Sequence, residues 1–277
     1  MSVGDFEIFA LHDGVQDCEP IVDAFPVTDQ DQLLAYKTRY PGVYGNDDLW
    51  RLTIRAWLIR HPGGQILLDT GIGPKEAPGF EWFQAEGQIH AALAEVGTSA
   101  ADIPTVVLSH VHSDHVGGTA TGDGKPAFPN ASYLVQSADV EFLRGLAESG
   151  GEEERAIWDV CIAPLQTAGA LVSLDGDTDL APGIRAHHKP GHTPGHQVVR
   201  VGSADGSKIL LSADTFNHPA QFAHPDWPSG PDNDPEAASA TRREVLAELA
   251  TEAGTIIAPT HFGESFGRLV AGVDHEP

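Results

Sequence analysis

The stretch Ser109-His110-Val111-His112-Ser113-Asp114-His115-Val116-Gly117-Gly118 places four side chains able to bind a metal within six residues. In extended chain, His110 and His112 fall on the same side. Asp114 and His115 open whatever follows and point elsewhere, so the spacing suits two adjacent metal ions better than one. A polar surface loop is the alternative, but it does not explain four such residues directly behind an apolar strand. The donors are imidazole and carboxylate, a set that suits zinc first and also manganese, iron or cobalt. Cys18 and Cys161 are too few for a thiolate cluster or a disulfide framework.

The elements that must position this turn can be read around it. Residues 52–59 and 65–69 are apolar, β-branched runs flanking His-Pro-Gly-Gly at 61–64, which predicts a hairpin. A helix is expected over 81–96, stopped by Gly97, and a buried strand over 103–109 leads into the histidine-rich turn. Beyond it come a strand at 132–136, helices from 137 and over 152–166, and strands at 171–174, 184–188, 196–202 and 208–213. Four prolines between 216 and 234 predict an irregular loop. Pro235 starts a helix over 236–253, Gly254 ends it, and a strand follows at 255–259.

The chain has 277 residues, and no linker, repeat or low-complexity tract divides it, so a single domain over 1–277 is expected. Sixteen Lys and Arg against forty Asp and Glu give a net charge of -24, which repels phosphate backbones and anionic membranes. Nucleic acid and membrane are therefore not expected partners. No run approaches the length of a membrane span, and the N-terminus lacks the basic and apolar regions of a signal peptide. The expected compartment is the cytoplasm.

Three further motifs follow expected strands in order: His192 in Pro-Gly-His-Thr-Pro-Gly-His, Asp214 in Leu-Ser-Ala-Asp-Thr, and His261 in Ala-Pro-Thr-His-Phe. With H-x-H-x-D-H, this series resembles the metallo-β-lactamase-fold hydrolases over residues of about 50 to 265. The resemblance implies an α+β, four-layer αββα sandwich and two divalent ions. One would be held by His110, His112 and His192 and the other by Asp114, His115 and His261, with Asp214 bridging them. It further implies a bridging hydroxide as nucleophile, with Asp114 and Asp214 as the catalytic carboxylates. Two divalent ions, two carboxylates and one hydroxide make a small cationic centre inside an acidic protein. Asp69, at the end of a strand, would fasten the metal-binding loops, and His196 would support the turn of His192. His187 and His188 are read as structural, and His12, His61, His90 and His275 receive no role.

The fold alone does not choose a reaction. The length and ligand order are most similar to the acyl-homoserine lactonases and to the related organophosphate and aryl-ester hydrolases, which implies a small neutral lactone or ester as substrate. Two alternatives stand beside this: a phosphotriesterase-like hydrolase, and a mononuclear iron oxygenase resembling the persulfide dioxygenases. The lactonases often carry a tyrosine three residues after the bridging Asp, where this chain has Asn217. Phe216, Asn217, His218, Phe222, His224, Trp227 and Phe262 are the expected pocket wall. Two loops, 20–50 and 216–234, are expected to cover the cleft, and the first is also the expected contact of a homodimer.

Overall fold

The computed structural model describes residues 1–270, and His275 lies outside the described residues. Two sheets form from strands whose side chains alternate between two apolar surroundings. The first sheet runs in sequence order: β1 (Ser2–Val3), β2 (Phe6–Pro20), β3 (Leu49–His61), β4 (Gly64–Leu68), β5 (Thr105–Val107), β6 (Ser132–Gln136) and β7 (Leu171–Leu174). It is antiparallel up to β4 and parallel from β4 to β7. The second sheet contains β8 (Thr178–Ala181), β9 (Ile184–His188), β10 (Gln197–Gly202), β11 (Lys208–Ala213), β12 (Ile256–Pro259) and β13 (Gly267–Arg268). Only its β11–β12 pair is parallel.

The period of two sorts the core into layers. Trp57, Ile59, Ile66, Leu68 and Val107 of the first sheet meet Val199, Val201, Ile209, Leu211 and Ala258 of the second. Their neighbours Ala56, Leu58, Leu67, Val106 and Tyr133 face the opposite way. That face is covered by α4 (Ile89–Glu95), α6 (Ser137–Ser149), α7 (Glu152–Ile157) and α8 (Ala163–Thr167). On the outer face of the second sheet, Val198, Leu210 and Ile257 pack with Val245 and Leu249 of α9 (Pro235–Thr251) and with α1 (Ile21–Ala24) and α2 (Gln30–Ala35). The result is helix, sheet, sheet, helix. No helix among the described residues is long and apolar enough to cross a membrane.

Several expectations are corrected here. The helix expected over 81–96 is two, α3 (Pro78–Phe83) and α4, because Gln84 adopts a left-handed conformation and Gly87 approaches Asp13 too closely for a side chain. The helix expected over 152–166 passes through a π-helical segment, Trp158–Ile162, between α7 and α8. Pro164 just beyond it has no N–H to offer a helical ladder. The fifteen-residue strand β2 was not expected, since Asp13, Gly14 and Asp17 interrupt its apolar pattern, and its register shifts between His12 and Gly14. β8, β13, α1 and α2 were also not expected.

Asp13 sits at that irregularity with a purpose. Its buried carboxylate accepts from the backbone N–H groups of Ile72, Gln88 and Ile89, which fastens the turn after β4 to the start of α4. Burial nevertheless outweighs these bonds and raises its pKa to about 6. The folded protein therefore holds this proton more tightly than the unfolded chain. The stability it contributes is full below about pH 4 and is lost as pH rises through 6, a change of roughly 3 kcal/mol. We expect the Asp13 carboxyl to titrate near pH 6 by carbon-13 NMR. The fall in stability between pH 4 and 7 should be smaller in Asp13→Asn; an unchanged pH dependence would contradict this assignment.

Candidate metal centre

The candidate ligands arise at one end of both sheets, where strands stop and loops converge. His110 and His112 follow β5, and Asp114 and His115 lie in the single turn α5 (Ser113–Val116). His192 lies in the turn between β9 and β10, Asp214 follows β11 directly, and His261 lies two residues beyond the end of β12. Gly117 and Gly118 let this loop lie against the turn after β4. A Cβ on Gly117 would stand 2.0 Å from the Ile72 carbonyl oxygen, and one on Gly118 would stand 2.2 Å from that of Thr70.

Two triads result. His112 Nδ1 lies 3.0 Å from His110 Nε2 and 3.0 Å from His192 Nε2. In the second triad, His115 Nε2 lies 3.3 Å from His261 Nε2, and Asp114 Oδ2 is 3.4 and 3.5 Å from those two nitrogens. Asp214 stands between the triads. Its Oδ2 is 3.0 Å from His261 Nε2 and 3.4 Å from His192 Nε2, and its Oδ1 is 3.3 Å from His115 Nε2. That Oδ1 is buried and accepts no hydrogen bond among the described residues.

Each triad has atoms within 4.8 Å of one another, as a shared cation requires. Charge leads to the same point. Burial works against a charged His115, yet Asp114, Asp214 and Asp69 hold its imidazole well above the ordinary value. Burial also opposes ionisation of Asp214, but His261 and His115 keep its carboxyl well below the usual carboxylate range. The carboxylates thus demand positive charge beside them. In the first triad, burial and then the adjacent His192 push His112 down to about 3, which leaves neutral imidazole. Neutral imidazole and ionised carboxylate are the forms that bind divalent metal.

The outer nitrogens of four imidazoles are tied, and the ties aim the inner ones. Asp69 accepts from the Ser109 N–H at 2.7 Å and the Ser109 hydroxyl at 2.8 Å, and its Oδ2 lies 2.9 Å from His115 Nδ1. With its proton given to Asp69, the Ser109 oxygen can accept from His110 Nδ1 at 3.0 Å. His192 Nδ1 meets Asp232 at 3.0 Å, and Asp232 also accepts from Arg242. His261 Nδ1 meets the Thr53 carbonyl at 2.8 Å. A donor Nδ1–H leaves Nε2 as the lone pair facing inward.

His196 is close to these rings but turned to other work. Its Nδ1 meets the Lys189 carbonyl at 2.9 Å, and its Nε2 accepts the Asp214 N–H at 3.1 Å. It anchors the backbone of the residue between the triads. Just before that residue, Ala213 has a φ of 42°, and Asp69 has a φ of 65°. For alanine, left-handed backbone costs about 1–2 kcal/mol, and here it accompanies the bulge that turns Asp214 inward.

The adjoining cavity, about 490 Å³, is walled differently from the sequence expectation. Of the expected wall residues only Asn217 lines it. Phe216 is fully buried in the core, and buried His218 caps the turn Pro219–Phe222 through its Nδ1. Phe222 and Phe262 face a second cavity with Tyr36 and Tyr40. His224 stacks on Trp227 with ring centroids 4.1 Å apart. Instead, Trp50, Trp82 of α3, Phe142 and Leu146 of α6, and Glu153 and Ile157 of α7 line the adjoining cavity beside the candidate ligands His112, Asp114, Asp214 and His261. Of the expected covering loops, 216–234 contributes Asn217 and residues 230–233, and 20–50 contributes only Trp50.

Sequence reading also missed Arg55. Its guanidinium, buried in β3, donates to the carbonyls of Pro259 at 3.0 Å and Phe262 at 2.6 Å, clamping the loop that carries His261. The available signal was a charged residue in the middle of the largely apolar run 52–59. Asp232 and Ser109 had no such signal.

Residues 49–261 match the metallo-beta-lactamase superfamily, and the chain belongs to that family. Among its relatives is an N-acyl homoserine lactonase of Bacillus sp, 30% identical over 181 residues. That match covers 60% of this chain and 65% of the relative, so the chain spans just under two thirds of the length of that protein. Among solved structures, the hydrolase AbOPH of the beta lactamase superfamily superposes with a TM-score of 0.83 at 25% identity, covering 100% of this chain and 94% of the other. AidC, described as a dizinc quorum-quenching lactonase in complex with its product, gives a TM-score of 0.81 at 25% identity, covering 98% and 93%.

Two substitutions separate ligand from support. Asp214→Ala should lose nearly all bound metal by elemental analysis. His196→Ala should retain metal but lose about 1–3 kcal/mol of stability, because the Asp214 N–H is left unpaired. Equal metal loss in both variants would contradict the assignment.

Proposed function

We propose that this protein is a dinuclear metal-dependent hydrolase of lactones or carboxylic esters. The observation that carries the reading is the pair of triads joined by Asp214, whose Oδ1 is buried without a hydrogen-bond donor. His110, His112 and His192 would hold one divalent ion and Asp114, His115 and His261 the other. Zinc is the metal that an all-nitrogen-and-oxygen donor set of this kind suits first. When bound, such a pair supplies a water that ionises near neutral pH and polarises the electrophile.

The chain's own residues do the rest. Asp69, Ser109, Asp232 and the Thr53 carbonyl keep four imidazoles in the tautomer that ligation needs. Asp114 and Asp214 both line the cavity, but Asp114 is the more open of the two, 12% exposed against 4%, which suits its ionised carboxylate to take up the proton of the attacking water and return it to the departing alkoxide oxygen. Trp50, Trp82, Phe142 and Leu146 offer apolar surface that excludes water from the reacting ester. Among the described residues lining the cavity there is no lysine or arginine, while Glu153 and Glu154 add negative charge. An uncharged substrate fits that balance better than a carboxylate or a phosphate monoester. The likeness to a protein named N-acyl homoserine lactonase and to the dizinc lactonase AidC supports the same chemistry.

The test is a panel of lactones, aryl esters and phosphotriesters offered to zinc-replete protein, with oxygen uptake on a persulfide measured in parallel. Hydrolysis of lactones or carboxylic esters is expected, abolished by a chelator and restored by added zinc. Turnover of phosphotriesters alone, or oxygen consumption with the persulfide, would overturn the reading.

A further inference from the structure

Asp139 is the third residue of α6 and is fully buried, although an aspartate in the first turn of a helix usually stabilises that helix from its surface. Its carboxylate is spent elsewhere. Oδ2 accepts from the Thr193 hydroxyl at 2.9 Å, and Oδ1 accepts from the Gly195 N–H at 2.5 Å. Both donors belong to the turn between β9 and β10 that carries His192. The approach is close, since a Cβ on Gly195 would stand 2.7 Å from the Asp139 backbone nitrogen. Three residues before Asp139, Gln136 closes β6 and donates to Gln197 Oε1 at 2.9 Å, just beyond the same turn.

The opposite side of the turn is held by α9. The Thr241 hydroxyl donates to the Pro190 carbonyl at 2.6 Å, and the Asp234 N–H donates to that of Gly191 at 2.9 Å. α9 packs on the second sheet, so these bonds fix the turn within its own half of the molecule. α6 packs on the first sheet, whose β5 leads into His110 and His112. The triad of His110, His112 and His192 thus draws on both halves, and Asp139 reaches across from one to the residue beside His192 in the other. The second triad is joined by different means: Arg55 of β3 clamps the His261 loop, and the Thr53 carbonyl meets His261 Nδ1.

We propose that Asp139 is a positioning residue for His192: its two hydrogen bonds set the metal affinity of the site held by His110, His112 and His192, and leave that of the site held by Asp114, His115 and His261 unchanged. This rests on the dinuclear reading above. A histidine on a turn that is already in place binds metal without first losing conformational freedom, whereas a loosened turn must be ordered by the metal itself. Neither bond needs the negative charge. An amide oxygen can accept from the Gly195 N–H, and an amide N–H can donate to the Thr193 oxygen.

The test is zinc affinity by competition with a chromophoric chelator, with anomalous diffraction at limiting zinc to say which site is filled. Wild type should bind two ions. In Asp139→Ala, one of the two should bind about ten- to hundredfold more weakly. Its anomalous peak, beside His110, His112 and His192, should fade while the peak beside Asp114, His115 and His261 stays. Asp139→Asn keeps both hydrogen bonds and should bind as the wild type does. Thr193→Val removes one bond without touching α6, so it should show a smaller loss at the same site. A merely structural Asp139 would lower the melting temperature of the metal-free variant and leave both affinities alone. Unchanged affinity at the first site in Asp139→Ala, or in Thr193→Val where the alanine variant does not fold, would overturn the inference. Equal weakening of both sites, or a loss in Asp139→Asn as large as in Asp139→Ala, would also overturn it. Each of these results leaves the dinuclear reading intact, whereas a wild type that binds fewer than two ions overturns both.

Discussion

The structure turns on a crowding problem. Five imidazoles and two carboxylates place their inner atoms 3.0–3.5 Å apart in a buried space. Such a set is tolerable only if each ring presents a lone pair of fixed direction and the carboxylates meet positive charge. The Asp69–Ser109 pair meets part of the first demand for both triads at once, tying His115 and His110 through three hydrogen bonds. Left-handed backbone at Asp69 and Ala213 is the local strain that accompanies this arrangement, and the packed sheets beneath hold it in place.

Both sheets are needed for the geometry. The first supplies His110, His112, Asp114 and His115 from the end of β5, and the second supplies His192, Asp214 and His261. Arg55 crosses between them, binding the His261 loop from a strand of the first sheet. Asp13 extends the support outward by fixing the turn that the Gly117–Gly118 segment lies upon. The two sheets and the candidate metal centre are therefore one mechanical unit.

Much of this was legible in the residues. The spacing H-x-H-x-D-H and the three later motifs identified the seven groups that the fold brings together, because short loops after strands leave few places for them to point. The resemblance those motifs carry named the four-layer sandwich. What stayed hidden depends on contacts between distant segments. Asp232 meets His192 across forty residues, and nothing near Asp232 marks it. The cavity wall was misplaced for the same reason: aromatic residues close to Asp214 in sequence, such as Phe216, turn into the core. The wall comes instead from α3, α6 and α7, far along the chain. A net charge of -24 first spoke only against nucleic acid and anionic surfaces; the structure brings part of it to the cavity as Glu153 and Glu154, where it bears on substrate charge.

The most direct test of the account is anomalous X-ray diffraction at the zinc edge from crystals of the zinc-loaded protein. The account predicts two peaks, one enclosed by His110 Nε2, His112 Nδ1 and His192 Nε2, the other by Asp114, His115 and His261, with Asp214 between them. A single peak, or a peak ligated by His196 in place of one of these residues, would contradict it.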